Sequence, residues 1–238
     1  LASVGSYFSP NSERGIYKST DAGLTWNHSF FISDTTGFVD LIIDPNNPDR
    51  LMATAWERVR RPNASHLFGP SSGIYKTTNG GTNFTAVNFT PNSLVGGNKI
   101  IQLSSDNFLI LGVDNTNDTS FIFKTTNQGA NWTQHSRITG VFFAIAFMNS
   151  NTGIICGDLG LAMRTTNGGA NWTSVTTGTT NDLVAIQSVA TNVFCMVGSS
   201  GTIKKSTNAG LNWLTQTCPV TANLRSLDMF STNDFGLI

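Results

Sequence analysis

The 238 residues carry fourteen acidic and fourteen basic side chains, so the formal charge is zero, and only 12% of the chain is charged. A zero balance removes the global basic field that would hold nucleic acid. No run approaches the roughly 18 apolar residues of a membrane span. Glu favours helices while Asp and Asn favour turns. With glutamate only at 13 and 57, and Thr, Asn, Ser and Gly abundant, the chain is expected to be all-β, turn-rich and of secreted type.

Taken from the N-terminus, Leu1 to Ser6 reads as a strand rather than a signal peptide. A second strand at Gly15 to Lys18 is followed by Ser19-Thr20-Asp21-Ala22-Gly23-Leu24-Thr25-Trp26. That pattern, Ser/Thr-Thr-Asp/Asn-x-Gly-x-x-Trp/Phe, recurs four more times without gaps, ending at Phe84, Trp132, Trp172 and Trp213. Its Asp/Asn positions are 21, 79, 127, 167 and 208, spaced by 58, 48, 40 and 41. A period near 40 with two early insertions fits a four-stranded blade. Pairs such as Phe143–Phe147 and Gly153–Cys156 supply the strands that precede each repeat.

This organisation predicts a β-propeller of four-stranded antiparallel blades, five to six of them visible. A partial first blade spans 1–33. Blades two to five span 37–90, 98–138, 141–178 and 182–218, and a partial blade spans 223–238, all within one domain. Three strands at the start, sixteen in the four complete blades and two at the end make twenty-one. One strand more than five closed blades need, with a chain that stops within a strand, suggests a piece of a larger propeller.

The repeat has a physical meaning. The side chains of Asp21, Asn79, Asn127, Asn167 and Asn208 are expected to accept from backbone amides two residues on, fixing a tight turn. Gly23, Gly81, Gly129, Gly169 and Gly210 supply the left-handed conformation. Trp26, Phe84, Trp132, Trp172 and Trp213 are expected to bury a large face and pin the hairpin to its sheet. These segments resemble Asp-box (BNR) repeats of sialidases, sortilin-type receptors, xyloglucan-degrading glycosidases and photosystem II assembly factors. Arg164 to Trp172 is most similar to the assembly-factor type, and Val39 to Leu51 to the sortilin type. The resemblance implies the architecture and leaves the activity open.

Propellers commonly bind through the connections between second and third strands, at the end opposite the repeat turns. The longest such connection, Trp56 to Pro70, holds Trp56, Glu57, Arg58, Arg60, Arg61 and His66. Arginine forks suit carboxylates, and an aromatic can stack on a sugar or anchor a partner chain. Glu13 and Arg14 lie in the corresponding connection of the first blade. Asp114 to Asp118 and Asp158 read as polar turns. The basic column Lys18, Lys76, Lys124, Arg164 and Lys205 reads as packing, with stems along the sheet and heads in water. Cys156 and Cys195 occupy equivalent strands and read as core; with Cys218 they match no metal spacing.

No zinc pattern, phosphate-binding Gly loop or Ser-His-Asp set occurs, so no cofactor, metal or catalytic residue is expected. A sialidase, as the resemblance implies, would need an arginine triad with a tyrosine–glutamate pair; two of the three tyrosines, Tyr17 and Tyr75, fall at repeat positions inside strands, and two glutamates leave little to build with. A xyloglucan-type glycoside hydrolase would need two carboxylates flanking a cleft, for which Glu13, Glu57, Asp114 and Asp158 are the candidates. The expectation is therefore a non-enzymatic secreted, cell-surface or periplasmic module. It would bind a protein or glycan partner and take part in a larger envelope or surface assembly, with glycoside hydrolysis as the alternative.

Overall fold

The computed structural model describes residues 1–6, 8–59, 69, 71–87, 96–114, 117–229 and 235–237. These contain twenty-one strands and two single-turn 3-10 segments. The first sheet has three strands: β1 (Ala2–Ser3), β2 (Gly15–Lys18) and β3 (Asn27–Phe30). Four sheets of four strands follow. They are β4 (Thr36–Asp44), β5 (Asn47–Glu57), β6 (Gly73–Thr77) and β7 (Thr85–Ala86), then β8 (Gly96–Gln102), β9 (Phe108–Asp114), β10 (Thr119–Thr125) and β11 (Thr133–Thr139). Next come β12 (Phe142–Phe147), β13 (Gly153–Gly157), β14 (Ala162–Thr165) and β15 (Thr173–Ser174), then β16 (Leu183–Ala190), β17 (Val193–Gly198), β18 (Ile203–Ser206) and β19 (Leu214–Thr215). The pair β20 (Leu227–Met229) and β21 (Phe235–Leu237) closes the series. In every sheet, strands pair in chain order, which is the consequence of short hairpin connections.

Two compact units divide the chain. The first comprises Leu1–Gly112 and Phe123–Gln134, the second Val113–Ile122 and His135–Ile238, so the boundary runs through the third sheet. In the first unit the core gathers Ile16, Phe38, Ala53, Ala55 and Phe84, with Phe30 and Tyr75 against it. In the second unit β17 is buried along its whole length. Its Phe194 and Met196 join Ile154, Cys156 and Trp213 on one side. Its Cys195 and Val197 join Leu224 and Met229 on the other. Because side chains alternate across a strand, an apolar run without polar interruption is what a sheet covered on both faces requires. Thus Val193–Gly198 is apolar throughout instead of alternating. Three of the first strands share a local irregularity: register shifts fall at Phe38/Asp40 in β4, Phe142/Ala144 in β12 and Leu183/Ala185 in β16.

All five repeats fold into one turn, whose wiring differs in detail from the expectation. The leading hydroxyl (Ser19, Thr77, Thr125, Thr165 or Ser206) donates to the Asp/Asn Oδ1 at 2.7–3.0 Å. It also accepts the amide of the repeat glycine at 2.8–3.3 Å. The Asp/Asn Oδ1 therefore accepts from the amide four residues on rather than two, at 2.9–3.1 Å. The nearer amide is already taken by the hydroxyl. Two consecutive residues are left-handed here, and in three repeats the first is not glycine: Ala22, Gln128 and Ala209 have φ of 57°, 56° and 59°. Such a conformation costs an L-residue about 1–2 kcal/mol, which this set of bonds offsets.

The aromatic position follows expectation in Phe84, Trp132 and Trp213, each at most 9% exposed. Trp26 departs from it at 50%. Phe84 packs on Phe30 of the preceding sheet (5.0 Å between ring centroids), and Trp213 shares a cluster with Ile154 of the sheet before its own. In these two repeats the aromatic packs on the sheet before its own, whereas the half-buried Trp172 meets Phe147 of its own sheet, 6.1 Å between ring centroids.

Candidate functional site

In an antiparallel sheet the third strand runs from the second–third connection to the repeat turn, so these two features lie at opposite ends. At the end away from the repeat turn, β5 delivers Trp56 and Glu57, followed by Arg58. The Arg58 guanidinium stacks 4.3 Å from the centroid of the Trp56 ring, a cation–π contact of about 1 kcal/mol. Neither side chain is fully buried.

Glu57 is tied down rather than presented. Its Oε2 accepts from the Ser71 amide at 3.1 Å and the Ser71 hydroxyl at 2.7 Å. Its own amide donates to Ser72 Oγ at 2.9 Å. Ser71 Oγ also meets Thr36 Oγ1 at 2.6 Å, and Arg58 N donates to the Thr35 carbonyl at 2.9 Å. A Cβ at Gly69 would fall 2.0 Å from the Glu57 carboxyl, so the far end of the connection comes close to this acid. Burial, and then the charge of Glu57, raise the Tyr75 phenol, whose hydroxyl donates to the Ser71 carbonyl at 3.0 Å. The two ends of the long connection are therefore clamped together at the rim of the second sheet. Arg60, Arg61 and His66 lie outside the described residues.

In the first sheet, Glu13 is exposed, but Arg14 is only 1% exposed. The Arg14 guanidinium donates from Nη1 to the Thr35 carbonyl at 2.8 Å and from Nη2 to the Ser6 carbonyl at 2.5 Å. Two backbone segments are held by one buried fork, so in this structure Arg14 fastens the interior. Sequence alone cannot separate that role from ligand binding, since both want a rigid bidentate donor.

The basic column also acts differently from expectation. Lys18 Nζ donates to the Gly80 carbonyl at 2.7 Å, and Arg164 Nε donates to the Ala209 carbonyl at 2.7 Å. Gly80 and Ala209 are equivalent: each follows the Asn of the next repeat turn. These cations cap a backbone carbonyl of the neighbouring blade, Lys18 while remaining exposed and Arg164 while half-buried. Sequence reasoning missed this, because the acceptors are backbone atoms that no residue pattern displays.

In the second unit the corresponding connections are single turns. Asp158–Gly160 joins β13 to β14, and Ser199–Gly201 joins β17 to β18. The central residues Leu159 and Ser200 are left-handed, with φ of 50° and 54°. Their amides donate to Asp182 Oδ1 and Asn223 Oδ1, both at 3.1 Å. Asp158 and Asp182 are hydrogen-bonded to each other; that bond first, then burial and the Asp182 charge, raises the Asp158 carboxyl above its ordinary range. Asp114 is buried and accepts from Asn117 Nδ2 at 2.8 Å.

The cysteines are free; Cys156 and Cys195 are buried. Burial pushes the Cys156 thiol up strongly and Cys195 to about 11, so both are packing residues rather than nucleophiles. Among the described residues no group of three or more His, Cys, Asp or Glu side chains could hold a metal ion. No helix among the described residues is long and apolar enough to cross a membrane.

Comparison with known proteins gives the same architecture. The family of the photosynthesis system II assembly factor YCF48 matches residues 116–228. The chain is a BNR-type β-propeller. It resembles the photosystem II assembly factor, and two solved structures of that factor share its fold. YCF48 from Cyanidioschyzon merolae is 16% identical with a TM-score of 0.61, covering 95% of this chain and 74% of that one. YCF48 bound to D1 peptide is 14% identical with a TM-score of 0.54, covering 94% and 84%. An ancestral GH74 enzyme is 20% identical with a TM-score of 0.57 over 76% of this chain; the propeller spans only 24% of that enzyme. Among curated proteins, no sequence matches.

Proposed function

We propose that this propeller is a non-enzymatic scaffold that engages a protein partner through the connections opposite its repeat turns, chiefly Trp56 to Pro70. The observation that carries the proposal is the Arg58–Trp56 stack at the mouth of the long connection. Aromatic and arginine side chains at a partly exposed rim are the residue types that dominate protein interfaces. The clamp of Glu57 on Ser71 supports it by pre-organising the base of the connection, which lowers the entropy lost on binding. The peptide in one of the YCF48 structures is consistent with a propeller of this type holding a polypeptide.

In this proposal the protein works outside the cytoplasm, secreted, at the cell surface or in the periplasm, within a larger envelope or surface assembly. Its low charge and wealth of Thr, Asn, Ser and Gly support that placement. A second proposal, glycoside hydrolysis or glycan binding, has the GH74 likeness and the raised Asp158 carboxyl in its favour.

The test is affinity capture from the native envelope fraction, comparing wild type with the triple variant Arg58→Ala, Arg60→Ala, Arg61→Ala at matched thermal stability. A protein retained by the wild type and lost by the variant is the expected outcome. Equal capture by both overturns the assignment of the site. Polysaccharide cleavage with no protein captured favours the hydrolase proposal.

A further inference from the structure

The staple from Lys18 to Gly80 has a missing counterpart one blade on. The equivalent donor in the second sheet is Lys76, and the equivalent acceptor in the third is the carbonyl of Gln128. That bond is not formed, and the Lys76 ammonium has no hydrogen bond or ion pair among the described residues. A cavity of about 270 Å3 opens there instead, lined by Lys76 and Gln128 themselves. Its walls are largely apolar, from Ile42, Leu51, Met52 and Phe108. Arg50 also lines it and, like Lys76, is half-buried with no partner among the described residues. The one carboxylate in the wall, Asp44, is buried and accepts from the Asn46 amide at 2.9 Å. Two cations therefore face one acid.

We propose that this cavity binds a small amphipathic carboxylate, its anionic head between Arg50 and Lys76 and its tail among Ile42, Leu51, Met52 and Phe108. A half-buried cation without a counter-charge is unfavourable, and a carboxylate head relieves two of them at once. The apolar walls gain by removing an alkyl or aryl tail from water. The volume sits just below the range of about 300–1,000 Å3 typical of small-molecule sites, which selects a small ligand over a long acyl chain. The cavity lies on the repeat-turn side, so this site is separate from the proposed partner-binding connections and stands without them.

The experiment titrates the full chain with octanoate by calorimetry, and with 1-octanol as the uncharged control. Octanoate is expected to bind one-to-one and about ten-fold or more tighter than octanol, as expected for a charge-assisted contact. Lys76→Gln and Arg50→Gln should each weaken octanoate by about ten-fold and leave octanol unchanged. Both positions are partly exposed, so their thermal unfolding should match the wild type. The Met52 methyl resonance should shift on octanoate addition, placing the ligand in the cavity. No binding at millimolar octanoate, equal affinity for octanoate and octanol, or binding that leaves the Met52 methyl unmoved each overturns the proposal.

Discussion

The second sheet in the first unit and the fourth and fifth sheets in the second unit carry the same repeat turn, yet they end very differently at the opposite rim. In the fourth and fifth sheets the second and third strands join through one turn. Its left-handed centre is held by a carboxylate or carboxamide from the start of the following segment. The turn glycines have no room for a side chain: a Cβ at Gly160 would sit 2.0 Å from the Thr179 carbonyl, and one at Gly201 2.0 Å from the Val220 carbonyl. In the second sheet the connection runs from Arg58 to Ser72, and its ends are fastened by side chains, Glu57 with Ser71 and Thr36 with Ser71. The contrast shows how one blade frame supports either a closed rim or an elaborated one. Backbone packing limits the former, whereas a side-chain clamp suffices for the latter.

The largest test of that contrast is a methyl group added at each rim. Gly198 has an extended backbone, so conformation is no obstacle, but its Cβ would fall 1.7 Å from the Asp182 carbonyl. Gly198→Ala is expected to lose about 3 kcal/mol in urea unfolding, because backbone must move. Gly73→Ala at the start of β6, where a Cβ meets nothing within 4 Å, should change stability by less than about 0.5 kcal/mol. Equal losses at the two sites would erase the distinction.

A smaller effect should come from the clamp. Glu57→Ala removes two bonds to a charged acceptor and is expected to cost about 1.5 kcal/mol, read as a shift in the same unfolding midpoint. Unchanged stability would mean the long connection does not depend on Glu57.

The smallest effect is pH-dependent and belongs to the tight rim. The folded state raises the Asp158 carboxyl above its ordinary value of 3.8, so folding favours the protonated form. That contribution is complete below about pH 3.8 and disappears as pH rises through the folded value. Asp158→Asn should therefore match the wild type near pH 3 and gain on it toward neutrality. A gain that shrinks as pH rises would show that Asp182 does not hold the proton with Asp158.

The frame was legible from residue order because it repeats a local rule: hydroxyl, Asp/Asn, glycine and aromatic within eight positions. Short-range hydrogen bonds close that turn wherever it occurs, and strands before it follow from alternation and hairpin spacing. Two elements were misread where a local pattern has two physical solutions. Arg14 has the composition of a ligand fork and the environment of a core fastener. The cation column reads as stems with solvated heads, and Lys18 does stay exposed, but Lys18 and Arg164 also reach backbone carbonyls of the next repeat.

What the sequence by itself determined is therefore the blade, its count of strands and the position of each turn, since those depend on contacts within about forty residues. Only the tertiary structure decided which cations are spent on neighbouring carbonyls and which are left over. Lys18 finds its carbonyl 62 residues away, while Lys76, with a similar local sequence around it, finds none among the described residues. The reason is that a staple needs two sheets at the right separation, and separation is set by packing between blades, which no eight-residue pattern encodes.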